Sequence, residues 1–167
     1  MKEIDVIQRQ LDRVLNFFPR VEARINGLFG VNTLMFALTA LNVSVADLRL
    51  WYVTVPGAAV LAGLVTSYAF LFKANFPEER GGEGSLIYFK RIRERTEATY
   101  LSELLACSDE EFRKDLIGQI WRNSDILCLK FGWVKKAIIA TALSLVPFII
   151  FLATTAAIHD RIPVFKG

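Results

Sequence analysis

The residues best suited to chemistry cluster at Lys90-Arg91-Ile92-Arg93-Glu94-Arg95, directly after Tyr88 and Phe89. Cations at this density suit a phosphate, and neighbouring aromatic rings offer faces on which a nucleobase stacks. The same composition also suits anionic lipid headgroups, at about 1 kcal/mol per cation, or plain solvent. Trp121-Arg122 is a second aromatic–cation pair, and Arg20 is a further cation on the N-terminal side. The candidate ligand set is therefore Arg20, Tyr88, Lys90, Arg91, Arg93, Trp121 and Arg122.

Other chemistries find little support. There is no Ser–His–Asp constellation, no glycine-rich phosphate loop and no metal-ligand cluster, so the chain is not expected to be an enzyme or to carry a cofactor. Glu110-Glu111 is a favourable pair at a helix start and is expected to be solvated. His159 is the single histidine, and Cys107 and Cys128 lie 21 residues apart, too few ligands for zinc. The two thiols are expected to be reduced and packed.

The elements that must position these groups are dictated by three uncharged apolar runs, residues 25–46, 50–72 and 137–158. As helices rising about 1.5 Å per residue, they reach roughly 33 Å, enough to cross a hydrocarbon core of roughly 30 Å. Of 20 Lys and Arg, 17 lie before residue 25 or within 73–136, and three lie elsewhere: Arg49, Arg161 and Lys166. The positive-inside rule places the N-terminus and residues 73–136 in the cytoplasm, and the 47–49 turn and the tail outside. Trp51 and Tyr52 then fall at the outer interface. The opening residues lack the short apolar core and cleavage site of a signal peptide, so the first span is expected to act as an uncleaved insertion signal.

Ile4, Ile7, Leu11, Val14 and Phe18 predict an amphipathic helix, which Pro19 should kink or break. The same seven-residue repeat runs on through Val21, Ile25, Leu28, Asn32, Met35, Thr39 and Asn42. Asn32, Thr39 and Asn42 fall in the bilayer, where an unpartnered carboxamide costs about 4–8 kcal/mol on a cyclohexane scale. They must face protein or water. Interhelical hydrogen bonding and the lining of a water-filled path both satisfy that demand. The pore candidates are Phe18, Ile25 and Leu28 as a dewetting constriction and Asn32, Thr39 and Asn42 along the wider part. The small faces Asn26/Gly30/Thr33/Ala37/Ala40 and Ala59/Ala62/Gly63/Thr66 predict a tight hairpin of the first two spans, with Ala140 and Ser144 making a weaker contact on the third. Residues 75–85, with Pro77 and Gly81-Gly82-Glu83-Gly84, read as a loop, and residues 86–105 as mostly helical. Ser108 and Glu111 form a capping box that opens a helix continuing into the third span, where Pro147 should introduce a kink.

The run Leu11-Asp12-Arg13-Val14-Leu15-Asn16-Phe17-Phe18-Pro19-Arg20-Val21-Glu22-Ala23-Arg24, followed by Leu28-Phe29-Gly30-Val31-Asn32, resembles the start of the Pycsar-effector-type transmembrane family. Ser85-Leu86-Ile87-Tyr88-Phe89 is similar to its central motif. Gly118-Gln119-Ile120-Trp121-Arg122-Asn123-Ser124-Asp125-Ile126-Leu127, then Lys130-Phe131, is similar to a later helix. The resemblance spans roughly residues 11–147 and implies bacterial anti-phage defence. A partner nucleotide cyclase or nucleotidyltransferase would supply the signal, a cyclic pyrimidine mononucleotide in Pycsar systems and other nucleotide products in Hailong-type relatives. The effector would then compromise the inner membrane.

The expected architecture is an all-α integral membrane protein: cytoplasmic helix 1–24, transmembrane hairpin 25–72, helical cytoplasmic segment 73–136, third span 137–158 and tail 159–167. One subunit offers too few helices to enclose a pore, so a homo-oligomer is expected, a tetramer first. Two rivals remain: a ligand-independent, holin-like or toxin-like lesion former, and a non-conducting membrane anchor.

Overall fold

A computed structural model describes residues 2–76 and 82–159, with side chains from Ile4. Every regular element among them is helical: α1 (Lys2–Leu15), α2 (Phe18–Asn42), α3 (Trp51–Asn75), α4 (Phe89–Arg93), α5 (Glu97–Ala106) and α6 (Asp109–Ile158), with a short 3-10 turn at Asp47–Arg49. Three segments are long and apolar enough to cross a membrane, one ending at Asn42, then Trp51–Asn75 and Asp109–Ile158.

The break between α1 and α2 falls just ahead of Pro19. A helical proline there would clash with the carbonyl of Leu15, the last residue of α1. The chain turns through Asn16 and Phe17, and Pro19 sits in the first turn of α2, where its missing N–H is harmless. The first uncharged run is not helical throughout. α2 stops at Asn42, whose side-chain Nδ2 donates back to Leu38 O at 2.8 Å, and residues 43–46 lead into the 3-10 turn. Residues 86–105 contain α4 and most of α5, separated by a short break before Thr96, which caps α5 by accepting from Thr99 N at 3.2 Å. The capping box at α6 forms as the sequence predicts: Ser108 N donates to Glu111 Oε2 at 2.9 Å, and Glu111 N to Ser108 Oγ at 3.3 Å. The Ser108 hydroxyl and backbone hold the Glu111 carboxyl below the ordinary glutamate range. α6 then runs 50 residues, through Pro147.

The chain divides into two compact units that share α6. The first comprises residues 1–21 and 77–130, with Leu11, Val21, Leu116 and Leu127 among its buried side chains. The second comprises residues 22–76 and 131–167. In its three helices the inward positions repeat every seven residues. They are Ile25, Asn32, Met35 and Thr39 on α2, Val53, Gly57, Val60, Leu64, Ser67, Leu71 and Ala74 on α3, and Val134, Ala137, Thr141, Ser144, Phe151 and Thr155 on α6. Such a 3-4 spacing is the geometry of helices packed at a shallow angle.

This seam overturns the expected pairing of small faces. Asn26, Gly30, Thr33 and Ala40 are exposed on α2, and nothing lies within 4 Å of a Cβ placed on Gly30. α2 meets α3 instead through Met35, Val60 and Leu64, with Phe148 packed against them. Gly63 serves α6: a Cβ there would stand 1.9 Å from Ser144 Oγ and 3.7 Å from Ala140 O. Gly57 likewise leaves room for the Phe151 ring. The polar side chains decide the outcome, because an amide turned toward lipid costs more than close backbone approach returns.

Candidate ligand pocket and polar core

In the first unit the chain is organised around Ser85. Gly82 and Gly84 adopt φ of +77° and +73°, a left-handed conformation that glycine enters without strain, and their turn delivers Ser85 into a buried position. Its hydroxyl donates to Asp115 Oδ2 at 2.9 Å. It also accepts from Tyr88 N at 2.9 Å, just ahead of α4, and from the buried Gln119 Nε2 at 2.9 Å. Leu86 N donates to the same Asp115 oxygen at 2.8 Å. Arg95 reaches back to Gly84 O, Ser85 O and Arg91 O, and Tyr100 Oη donates to Leu86 O. Segment 82–100 is thereby fastened to α6 by side chains whose polar atoms are mutually satisfied.

Beside this hub lies a cavity of about 560 Å³, a size typical of small-molecule sites. Its walls include residues 84–86, Phe112 and Gly118, with Glu83, Glu103, Glu111, Asp115, Lys114 and Arg122 around them. Most of these charges are already engaged. Glu103 pairs with Arg95, Lys114 with Glu110 at 2.8 Å, and Glu111 with the Ser108 cap. Arg122 is less satisfied: its ion pair with Asp115 is long, at 3.5 Å, and its buried Nε has no hydrogen-bond partner. Gly118 provides the space for this guanidinium, since a Cβ would meet Arg122 Nη1 at 3.1 Å.

Of the candidate ligand residues, Arg122 alone lines this cavity. Arg20 rests on the Phe17 ring at 5.1 Å, and Tyr88 meets Phe89 edge-on at 5.1 Å. Arg91 pairs with Glu94 at 2.9 Å, a bond that raises the guanidinium above its ordinary range, while its buried Nε, like that of Arg122, has no hydrogen-bond partner. Lys90 and Arg93 are exposed, and the Trp121 side chain is 71% accessible. Ser85, Asp115 and Gln119 were not singled out by charge density, though Ser85 and Gln119 sit inside motifs quoted above; Arg95 lies in the basic run but outside the candidate ligand set.

The second unit has its own polar centre. Asn32 Nδ2 donates to Ser67 Oγ at 2.8 Å, and Thr141 Oγ1 donates to Asn32 Oδ1 at 2.9 Å. Ser67 and Thr141 hydroxyls meet at 2.9 Å, and Ser67 also reaches Ala137 O at 3.2 Å. One amide thus ties α2, α3 and α6. Asn32 has 0% accessible surface, so here it fills the first of its two possible roles, interhelical hydrogen bonding. Ile25 and Thr39 are likewise buried, the Thr39 hydroxyl donating to Met35 O. Leu28 and Asn42 are half-buried, and Phe18, in the first unit, lies under Lys130 Nζ at 5.8 Å. Lining of a water path by Asn32 requires the spans to part.

Toward the 3-10 turn, Asp47 is 2% exposed and binds Ser44 N at 2.8 Å and His159 Nε2 at 3.0 Å. The Ser44 amide, then the histidine, hold its carboxyl below the ordinary range.

These features define a membrane protein, helical throughout its described residues, with three helices long and apolar enough to span and a pocket in its first unit. Among the described residues no cluster of His, Cys, Asp or Glu could hold a metal ion. The chain belongs to the family described as the Pycsar effector protein domain, which matches residues 6–157. That membership makes it a membrane effector of anti-phage defence, of a non-enzymatic kind, working with a nucleotide signal from a partner cyclase. No curated protein and no solved structure shows significant similarity to it.

Proposed function

We propose that this chain is a nucleotide-controlled effector of the bacterial inner membrane that conducts ions as a homo-oligomer. Its N-terminus and residues 73–136 are cytoplasmic in this reading, supported by 17 of the 20 Lys and Arg lying there or before residue 25. Arg122 carries the ligand assignment: an under-bonded guanidinium on the wall of a mononucleotide-sized cavity. A phosphate would complete its hydrogen bonding. Glu83 and Asp115 would accept from ribose hydroxyls and from an exocyclic amine.

A ligand held there touches α6 at Gly118 and Arg122, on the same helix that supplies Thr141 to the polar core. It shifts the balance between packings by its differential affinity for them. When the spans part, Asn32, Ser67 and Thr141 exchange mutual hydrogen bonds for bonds to water, so hydration there is inexpensive. Within one chain these spans close on their own buried seam, and a conducting path therefore takes several copies, a tetramer being the first arrangement to test.

The test is dye and ion leakage from liposomes carrying the purified chain, with and without a panel of cyclic mononucleotides. Arg122→Ala should raise the half-effective nucleotide concentration at least about tenfold, the loss of one charge-assisted contact of about 1.5–3 kcal/mol, with insertion unchanged. Leakage indifferent to every nucleotide supports a ligand-free lesion former. No conductance in planar bilayers under any condition supports an anchor.

A further inference from the structure

One end of each of the three uncharged runs is marked by a cation lying on an aromatic ring of α6. Arg24, just before residues 25–46, stands 5.6 Å from the Phe131 ring centre. Lys73, just after residues 50–72, stands 4.9 Å from the Trp133 ring centre. Lys136, just before residues 137–158, stands 4.1 Å from the same ring. The indole also stacks with Phe70, at 5.9 Å and 23°.

Two ammonium groups on one indole is an unusual arrangement. The ring quadrupole attracts each, but they repel one another. Among the described residues none of Arg24, Lys73 and Lys136 makes an ion pair, and all three are exposed. Elsewhere the chain pairs its cations readily, as with Arg91–Glu94 and Lys114–Glu110. What this site lacks is an anion, and its position says which. Lys73 and Lys136 end apolar stretches on two different helices and converge on one tryptophan, a residue favoured at the headgroup level of a bilayer.

We infer that Lys73, Trp133 and Lys136 form a binding site for the phosphate of an anionic phospholipid, with Arg24 on Phe131 extending the same cationic rim. The lipid phosphate bridges the two ammonium groups, and its acyl chains run along the apolar helix faces beneath. The site joins the end of α3 to the start of the third span, so a bound lipid clamps those two helices. This assignment is independent of the Arg122 cavity.

The test uses the full chain in neutral detergent with Trp51→Phe and Trp121→Phe, exposed positions both, so that Trp133 is the single fluorophore. Phosphatidylglycerol or phosphatidylcholine with brominated acyl chains is titrated into the micelles, and bromine quenching of Trp133 is followed. Phosphatidylglycerol should quench saturably and at a lower mole fraction than phosphatidylcholine. Lys73→Gln/Lys136→Gln should raise its half-saturating fraction roughly thirtyfold and Lys136→Gln alone about fivefold, at about one lysine's worth of anionic-lipid attraction each. Lys73→Arg/Lys136→Arg should retain it. Equal quenching by the two lipids overturns the inference, as does an unchanged titration in the single Gln variant, which also covers a double variant that loses helicity by circular dichroism. Reversal of the phosphatidylglycerol quenching by millimolar inorganic phosphate or cyclic UMP would reassign the site to a soluble anion and equally overturn the lipid assignment.

Discussion

Replacing Asn32 with leucine separates the two roles open to this residue. The structure gives its amide two interhelical bonds, 2.8 Å to Ser67 and 2.9 Å from Thr141, and no contact with solvent. Bonds of this kind between membrane helices contribute about 0.6–2 kcal/mol each. Ser67 and Thr141 keep each other as partners at 2.9 Å, and Ser67 keeps Ala137 O, so no hydroxyl is orphaned by the change. A branched side chain in a site shaped for a planar amide adds about 1 kcal/mol. Asn32→Leu should therefore destabilise the three-span unit by about 2–5 kcal/mol, read by steric-trap unfolding in bicelles. A double-mutant cycle with Ser67→Ala should return a coupling of about 0.6–2 kcal/mol. A coupling near zero, together with loss of leakage at unchanged stability, would make Asn32 a pore wall in the resting protein and refute the tie.

Ser85→Ala should free segment 82–106 from α6. It removes the hydrogen bond to Tyr88 N, about 1 kcal/mol, and leaves the buried Gln119 amide unpartnered, about 1–3 kcal/mol, so backbone amides 86–88 should exchange hydrogen faster by one to three orders of magnitude. Gly63→Ala drives a methyl into Ser144 and should cost about 1–3 kcal/mol in bicelle unfolding, with Ser144→Gly in the same chain restoring most of it; no recovery would mean that α3 and α6 do not meet there. Asp47, its carboxyl held below the ordinary range, contributes stability that is complete above the unfolded aspartate value of 3.8 and is lost as pH falls through its lower folded value. Cross-linking between cysteines placed at Ser44 and Ile158 should thus be constant from pH 7 to about 5 and weaken only in strong acid, and in Asp47→Asn it should be weak throughout.

Charge distribution and hydropathy were enough to read three spans, the capping box at Ser108, the long α6 and the break at Pro19, because each follows from a local or one-dimensional constraint. The buried amide at Asn32 was legible too, since hydrocarbon leaves a carboxamide few choices. Its partners were not: Ser67 and Thr141 are ordinary on their own helices, and only the meeting of three seven-residue seams selects them. The small faces misled for the same reason. Gly30 and Ala59 lower the cost of approach but do not compel it, whereas Asn32 compels a partner. The ligand residues are a different case. Density of Lys and Arg singled out residues 90–95, and the structure adds that Arg91 pairs with Glu94 while Arg95 binds Glu103 and backbone carbonyls, contacts that no charge count along the chain anticipates.

Both units turn on the same device, a serine from elsewhere in the chain inserted against α6. Ser85 binds Asp115 and Gln119, and Ser67 binds Ala137 and Thr141. A hydroxyl is well suited to this work. It has one proton and two lone pairs, so it can exchange one partner for another, or for water, with little net loss. A core sealed by aliphatic side chains alone would resist separation in proportion to its buried area, and opening it to water would cost the full transfer free energy. Pinning helices at serine and threonine gives defined registry while keeping the wet and dry arrangements close in free energy. Such near-balance is what a modest ligand affinity can tip, because a ligand shifts a two-state equilibrium only by the difference in its affinity for the states. Replacing Asn32, Ser67 and Thr141 together by leucine, alanine and valine, so that no buried amide is left unpartnered, should therefore leave a protein that inserts and folds yet no longer leaks in response to nucleotide. A variant that still responds would place the moving contact elsewhere than at this polar core.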